Sequence, residues 1–276
     1  MLERFPPDER RWGRYTPADW LPQVFIQSGE WERAWDAIER MRDRHLEGWD
    51  RTGYLVYTTT LQWMQGRLDD ARDGVAELER VGVAPSWYHE HYPLVADVAA
   101  DQRRLADVRA VADAYISFHA HPSEDAKKLA VLSPLARAEA DAALVAPRRD
   151  RSHHVRRARA AVERGRRILE THPPLAKGSI QMELPTTYLA FAEAELSRAT
   201  SPDPELWRAA VELADTAYFR MYAHFRLAEA LFACGRRDEA TAEQRSSYAD
   251  TCRIGAAGLR AELEALAARE SVDGAR

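Results

Sequence analysis

Two pairs of histidines have the residue type and spacing of candidate metal ligands. One residue separates His89 from His91, and one separates His119 from His121. Imidazole and carboxylate groups bind zinc and similar ions, and the acidic residues nearby are Glu90, Glu124 and Asp125. Within a helix, residues i and i+2 point about 200° apart, so each pair would chelate only in non-helical backbone. Because no recognised ligand motif is present, capping and surface polarity are the favoured interpretation, and we expect no metal site.

The segment from Arg148 to Arg167 has the composition of a candidate anion-binding face. It holds nine arginines against Asp150 and Glu163. As a helix, it carries apolar residues on one half and most of its arginines on the other; the latter are Arg156, Arg157, Arg159, Arg164, Arg166 and Arg167. Such a face can contact phosphates or an acidic protein surface. We favour a solvated face balanced by neighbouring Glu and Asp, because no aromatic residues are interleaved, as single-strand binding requires. The candidate contact residues are Arg156, Arg159 and Arg166.

Aromatic side chains form a third group, with eight Trp and ten Tyr in the chain. Those at helical spacing are interpreted as core, because repeat helices bury one face against each neighbour; examples are Trp31, Trp35, Tyr57 and Trp207. Others are candidates for lining a concave groove that holds a partner: Trp87, Tyr88, Tyr92, Tyr218 and Tyr222.

No arrangement in the sequence favours catalysis. Ser-His-Asp order, a Cys-His pair and a glycine-rich phosphate loop all lack supporting context. Cys234 and Cys252 lie on opposite sides of a predicted turn, about 20 Å apart along a helix, and should not form a disulfide. We therefore expect neither enzymatic activity nor a cofactor.

Composition excludes several classes of protein. The net charge of −5 and pI near 6.0 give no global attraction to nucleic acid or anionic membranes. No apolar run approaches the length of a membrane span, and the charged, proline-containing start does not resemble a secretion signal. Together with unpaired cysteines, this predicts a cytoplasmic protein.

A short turn motif, G-x-x-x-x-A, indicates what positions these side chains. It occurs as GEWERA at residues 29–34, GRLDDA at residues 66–71 and GRRDEA at residues 235–240, each time between two amphipathic stretches. Glycine supplies the left-handed backbone that closes a short loop, and the small alanine lets the second helix approach the first. The sequence thus predicts repeated αα-hairpins.

The spacing of the turns favours a tetratricopeptide-like array. In a third, less regular unit Asp101 and Ala106 stand in for the Gly and Ala, so successive turns lie 37 and 35 residues apart, close to a period of about 34 residues. Hairpin one is predicted to start at an N-cap at Thr16. Hairpin four is predicted at residues 123–144 and 152–171, and hairpin five to turn near Asp203 and Pro204.

We therefore expect an all-α fold of about six hairpins, a tetratricopeptide-like α-solenoid. The chain is interpreted as one domain over residues 1–276. Residues 1–15 form a tail, residues 16–270 hold the repeats, and residues 271–276 fray.

The last seventy residues resemble a known family. The segments ELWRAAVELAD, YAHFRLAEALFACGRRDEA and IGAAGLRAELEALAAR between residues 205 and 269 are similar to the end of the helical repeat region in large LuxR-type, ATP-binding (MalT-like) transcriptional regulators of actinobacteria. Over the rest of the chain the similarity is architectural only. The family's GxxxxGK[ST] loop and helix-turn-helix are absent from this sequence, so neither ATPase nor sequence-specific DNA binding is carried over.

What the resemblance implies is the sensor and coupling part of such a regulator, either as a stand-alone relative or as a piece of a longer chain. We expect a non-enzymatic regulatory or scaffolding module that binds a protein partner or small effector in a groove lined by the first helix of each hairpin. Two alternatives stay open: a nucleic-acid-associated module using the arginine-rich helix face, and, with less support, a metal-dependent enzyme at the paired histidines.

Overall fold

A computed structural model describes residues 20–42, 48–82, 88–117, 122–171, 185–214 and 216–273. Over these ranges the chain forms thirteen α-helices and one 3₁₀ segment, and the predicted all-α class is confirmed. The helices are α1 Leu21–Ser28, α2 Trp31–Arg42, α3 Gly48–Met64, α4 Leu68–Val81, α5 Tyr88–Asp101, α6 Leu105–Ser117, α7 Leu132–Val145, α8 Arg148–Thr171, α9 Pro185–Thr200, α10 Pro204–Leu213, α11 Ala217–Ala233, α12 Arg237–Ile254 and α13 Ala257–Asp273, with the 3₁₀ segment at Pro122–Val131.

Consecutive helices pack in neighbouring pairs, which makes six hairpins from α1/α2 to α11/α12, followed by α13. This arrangement is compatible with a helical repeat array. The predicted helix start at Thr16 lies outside the described residues.

The glycine turns have the backbone that the motif predicts. Gly29, Gly66 and Gly235 have φ values of 81°, 79° and 75°. At each, the glycine N–H and the next residue's N–H donate back to carbonyls of the preceding helix, as from Gly66 to Trp63 and from Arg67 to Gln62. This Schellman pattern satisfies carbonyls that a helix end leaves unpaired. The alanines five residues later, Ala34, Ala71 and Ala240, are fully buried between the helices of their hairpins.

The third turn has the same geometry in a register two residues later than predicted. Arg103, with φ of 57°, occupies the left-handed position, and its N–H donates to Ala100 O. The buried residue five positions on is Val108, whereas Ala106 is exposed. The expectation that Asp101 and Ala106 fill these positions is therefore wrong, because a non-glycine residue takes the strained position here. With this correction the turns at 29, 66 and 103 are 37 residues apart in both intervals.

Hairpin four differs from its predicted bounds at both helix starts. The segment predicted to open it is a 3₁₀ segment up to Val131, and α7 begins only at Leu132. α8 begins at Arg148, so most of the predicted connection belongs to the helix. The predicted cap of α10 is confirmed: Asp203 accepts from the Glu205 N–H at 2.9 Å, with Pro204 at the first helical position.

The array closes on itself through α11. Nine residues of this helix are buried and they lie on more than one of its faces, as expected for a helix packed between other helices, although it also carries charged residues such as Arg226 and Glu229. Tyr218 lies 4.9 Å from Trp63 of hairpin two and 6.5 Å from Trp31 of hairpin one, measured between ring centroids. Residues from α1 to α5 and from α9 to α13 consequently share one hydrophobic core.

The glycine turns of the first two hairpins also contact the last helices. A Cβ added to Gly29 would lie 2.9 Å from Ala217 Cβ, and one added to Gly66 would lie 2.5 Å from the backbone nitrogen of Gly258. Hairpins one and two therefore pack directly against α11 and α13.

Candidate functional site

The inner surface of the array carries a set of charged side chains from the first helices of hairpins three to six. We call it the inner ionic cluster, and its members are Asp97, Asp101, Arg137, Asp141, Glu195, Arg198, Arg226 and Glu229. Charged groups at such positions are unusual, because apolar side chains would pack there without a desolvation cost.

Arg137 of α7 is buried and links the cluster to hairpin three. Its guanidinium lies 3.2 Å from carboxylate oxygens of both Asp97 and Asp101 of α5, and 5.7 Å from the centre of the Tyr222 ring. The indole N–H of Trp63 donates to Asp101 at 2.6 Å. Burial raises the pKa of Asp97 to about 7, against the opposing effect of Arg137.

Arg198 of α9 connects the cluster to the remaining hairpins. It binds Glu195 at 2.6 Å and Asp141 at 2.8 Å, and lies 3.5 Å from Glu229 of α11. The Tyr222 hydroxyl donates to Glu195. In the same way, Arg226 donates to the Tyr222 oxygen at 3.0 Å and pairs with Glu229 at 2.8 Å. Helices of hairpins four, five and six are therefore linked by ion pairs as well as by apolar packing.

One side of the cluster is open to solvent, and we call it the cluster edge. It consists of Asp141, Glu229 and Arg269 of α13, whose side chains are 41%, 31% and 54% exposed. Burial opposes ionisation of Asp141, but Arg198 and Arg226 outweigh it and lower the pKa of its carboxyl. Arg269 lies 3.6 Å from Glu229. A charged ligand at this edge would compete directly for pairings that join α7, α9, α11 and α13.

Beside Asp97 is a small internal cavity of about 10 Å³, with Ser133, Thr187, Phe191 and Phe219 among its lining residues. That volume corresponds to a single water molecule. The cavity is too small for an organic effector, so the cluster edge is the accessible part of this region.

The aromatic residues predicted to line a groove have different surroundings. Tyr218 and Tyr222 are buried among their own chain's helices. Neither side chain lines an open groove, because α11 packs against other helices of the chain on the faces that carry them. Tyr92 is half-buried and stacks on Tyr115 with ring centroids 4.8 Å apart. Tyr88 opens α5, its side chain is outside the described set, and Trp87 lies outside the described residues.

The histidine pairs are only partly described. His91 is buried on α5, its Nδ1 has no hydrogen-bond partner among the described residues, and burial lowers its pKa to about 4. The side chain of His89 and both His119 and His121 lie outside the described residues. In the described part of the chain, no three His, Cys, Asp or Glu side chains are grouped to hold a metal ion.

Two side chains of the arginine-rich helix bind a buried carboxylate that we did not predict from the sequence. Glu139 of α7 is fully buried and binds Arg109 of α6 at 2.7 Å, Arg157 at 2.9 Å and His154 Nδ1 at 2.8 Å. Burial opposes its ionisation, but these hydrogen bonds lower its pKa. Arg157 thus stabilises the contact between α7 and α8. The available signal was an acidic residue among the alanines of α7.

The other arginines of α8 point outward. Arg166 pairs with Glu193 at 2.8 Å and with Glu163 at 3.0 Å. Arg156 and Arg159 are exposed, and within the described ranges neither pairs with a carboxylate. Of the three predicted contact residues, only Arg166 has the acidic neighbours that we expected for the whole face.

Comparison with protein-family models, with curated proteins and with solved structures gives no match to this chain. Among the described residues, no helix combines the length and apolar character needed to cross a membrane.

Proposed function

We propose that this chain is a non-enzymatic regulatory or scaffolding module that binds a partner protein or small effector at the cluster edge. The observation that carries the proposal is the set of ion pairs joining four hairpins inside the array. Replacing buried ion pairs by apolar residues is often neutral or stabilising. Selection for stability alone would therefore not favour them, whereas a charge-responsive contact between hairpins would.

The position of the cluster edge supports a coupling role. Arg198 is 10% exposed and lies beneath Asp141 and Glu229. A cationic group from a partner would bind these two carboxylates and weaken their hold on Arg198, while an anionic group would compete for Arg198 itself. Either event alters contacts among α7, α9, α11 and α13. Binding at the edge would thereby change the relative positions of the last hairpins, as a sensor region of a bacterial transcriptional regulator requires.

We also propose that the helical hairpins form a tetratricopeptide-like repeat array. Turns spaced by 37 residues, each with a residue at positive φ and a small or β-branched buried residue five positions later, support a tetratricopeptide-like array. Two exposed free cysteines, Cys234 and Cys252, support a reducing, cytoplasmic setting.

The experiment is affinity purification from the source cells with three tagged baits, followed by mass spectrometry of bound proteins and metabolites. The baits are the wild type, an edge variant with Asp141→Asn and Arg269→Gln, and a charge-matched control with Asp238→Asn and Arg253→Gln. We expect a molecule that is retained by the wild type and control and lost from the edge variant. Equal recovery from all three baits, or no specific molecule on any, would contradict the proposal.

A further inference from the structure

The outward half of α8 is a continuous basic surface. Seven exposed arginines lie on this half, which we call the outer arginine face: Arg148, Arg149, Arg156, Arg159, Arg164, Arg166 and Arg167. They extend along about 28 Å of helix. Three exposed carboxylates share the helix, Asp150, Glu163 and Glu170. The face is net positive on a chain whose net charge is −5.

Five of these arginines are not neutralised within the fold: Arg148, Arg156, Arg159, Arg164 and Arg167 pair with no carboxylate in the part of the chain that the structure describes. Glu163, one turn from Arg159, is bound by Arg166 instead. Arg156 and Arg159, like Arg164 and Arg167, are three residues apart, a spacing at which like charges repel. A bound polyanion would relieve this repulsion.

Many exposed arginines elsewhere have a carboxylate partner, and those without one among the described residues, such as Arg40, Arg103 and Arg245, lie on separate elements. Arg33 pairs with Glu30, Arg72 with Asp69 at 3.0 Å and Arg253 with Asp250 at 2.8 Å, each three residues along its helix. The outer arginine face therefore differs from the rest of the chain in grouping several unpaired arginines on one helix.

The packing of α8 leaves this face accessible. With 24 residues α8 is longer than any other described helix, and its main packing partners are α7, α9 and the 3₁₀ segment. Ala158, Ala161 and Val162 are buried against them, and the opposite side faces solvent. A helix with side chains is about 10–12 Å across, comparable to the roughly 12 Å major groove of B-form DNA.

We infer that the outer arginine face binds the phosphate backbone of double-stranded nucleic acid without reading base sequence. Guanidinium groups bind phosphates bidentately, and neutralising several phosphates by arginines supplies the sequence-independent part of binding to double-stranded nucleic acid. The face has no exposed aromatic side chain, which disfavours single strands because these are held by stacking. This surface lies on the outside of the array and does not depend on the proposed effector site at the cluster edge.

The test measures binding of a fluorescent 25-base-pair DNA duplex by anisotropy over a series of salt concentrations. The face variant replaces Arg156, Arg159, Arg164 and Arg167 by Ala. A control variant removes the same charge elsewhere, by replacing the exposed and paired Arg33, Arg42, Arg72 and Arg253 with Ala. Thermal unfolding of each protein shows that the fold is intact.

We expect the wild type and control to bind the duplex equally and the face variant to lose about tenfold or more in affinity. The slope of log K against log salt should fall by about 3 to 4 in magnitude, since each lost phosphate contact contributes about 0.9. Equal losses in both variants, or no duplex binding by the wild type at 50 mM salt, overturns the inference. So does preference for polyglutamate over the duplex, because the partner is then an acidic protein surface.

Discussion

Arginines on the inside and outside of this molecule occupy opposite environments. Arg137, Arg198 and Arg226 in the array are buried and surrounded by carboxylates and tyrosines. Arg156 and Arg164 on α8 are exposed and, within the described residues, lack a carboxylate partner. The same side chain therefore holds hairpins together in one region and leaves charge available in the other. Composition alone cannot distinguish the two.

Removing one arginine from each region gives the largest expected contrast. Arg198→Met keeps most of the side-chain volume but leaves Glu195 buried without its cation, and should cost about 3 to 5 kcal/mol in the free energy of unfolding. Arg164→Met should stay within about 0.5 kcal/mol of the wild type. Urea denaturation measures both values, and similar costs at the two sites would remove the distinction between the regions.

Asp97 of the inner ionic cluster should make the free energy of unfolding depend on pH. Its pKa is raised to about 7 by burial, so the folded state retains a proton that the unfolded state releases between about pH 4 and 7. Its contribution therefore favours folding most at low pH and is lost as pH rises through this range, by up to about 4 kcal/mol. Comparing unfolding free energies of Asp97→Asn and the wild type from pH 4.5 to 8 should reveal this loss in the wild type only.

His91 should behave in the opposite way and provides the control. Burial lowers its pKa to about 4, so the unfolded state binds the additional proton and stability is lost as pH falls from about 6.5 towards 4. The His91→Gln variant should lose less unfolding free energy than the wild type as the pH falls over this range. A difference curve of the same sign for both variants would contradict the two assignments.

Glycine substitutions compare a turn whose glycine contacts the last helix with a turn whose glycine has open space where a Cβ would lie. Gly66 and Gly235 have nearly equal φ values of 79° and 75°, but a Cβ on Gly66 meets the Gly258 backbone, whereas one on Gly235 meets nothing within 4 Å. Gly235→Ala should cost about 1 kcal/mol from backbone strain alone. Gly66→Ala should cost about 2 to 4 kcal/mol. Equal shifts in thermal melting would indicate that hairpin two does not contact α13.

Smaller effects are expected from overpacking the hairpin contacts. Ala71 and Ala240 are fully buried, and Leu at either position should cost about 1 to 3 kcal/mol. Replacing Ala106, which is exposed, by Leu should leave the melting temperature unchanged. An unchanged melting temperature in the two buried variants would undermine the hairpin assignment.

The hairpins were predictable because turn and helix signals are local. Gly29, Gly66 and Gly235 identified their turns correctly, as did the Asp203 cap, since the backbone requirements involve only nearby residues. Arg103 was missed because a non-glycine residue holds a left-handed position without a sequence signal.

The inner ionic cluster was not predictable, because it depends on where separate hairpins meet. Arg137 and Arg198 appear in the sequence as ordinary charges in alanine-rich helices, and their partners come from other hairpins. Likewise, Tyr222 was assigned to a groove because periodicity shows that a face is buried or available, but not what covers it. An available indication was that the apolar residues of α11 are not confined to one face of the helix.

Closure of the array by α11 is the central claim, and a double-mutant cycle between Trp63 and Tyr218 tests it most directly. These rings are 4.9 Å apart although they belong to the second and sixth hairpins. Unfolding free energies of the wild type, Trp63→Leu, Tyr218→Leu and the double variant give the coupling between them. We predict a coupling of about 0.5 to 1.5 kcal/mol. Strictly additive effects would mean that the two hairpins do not touch and that the array is open.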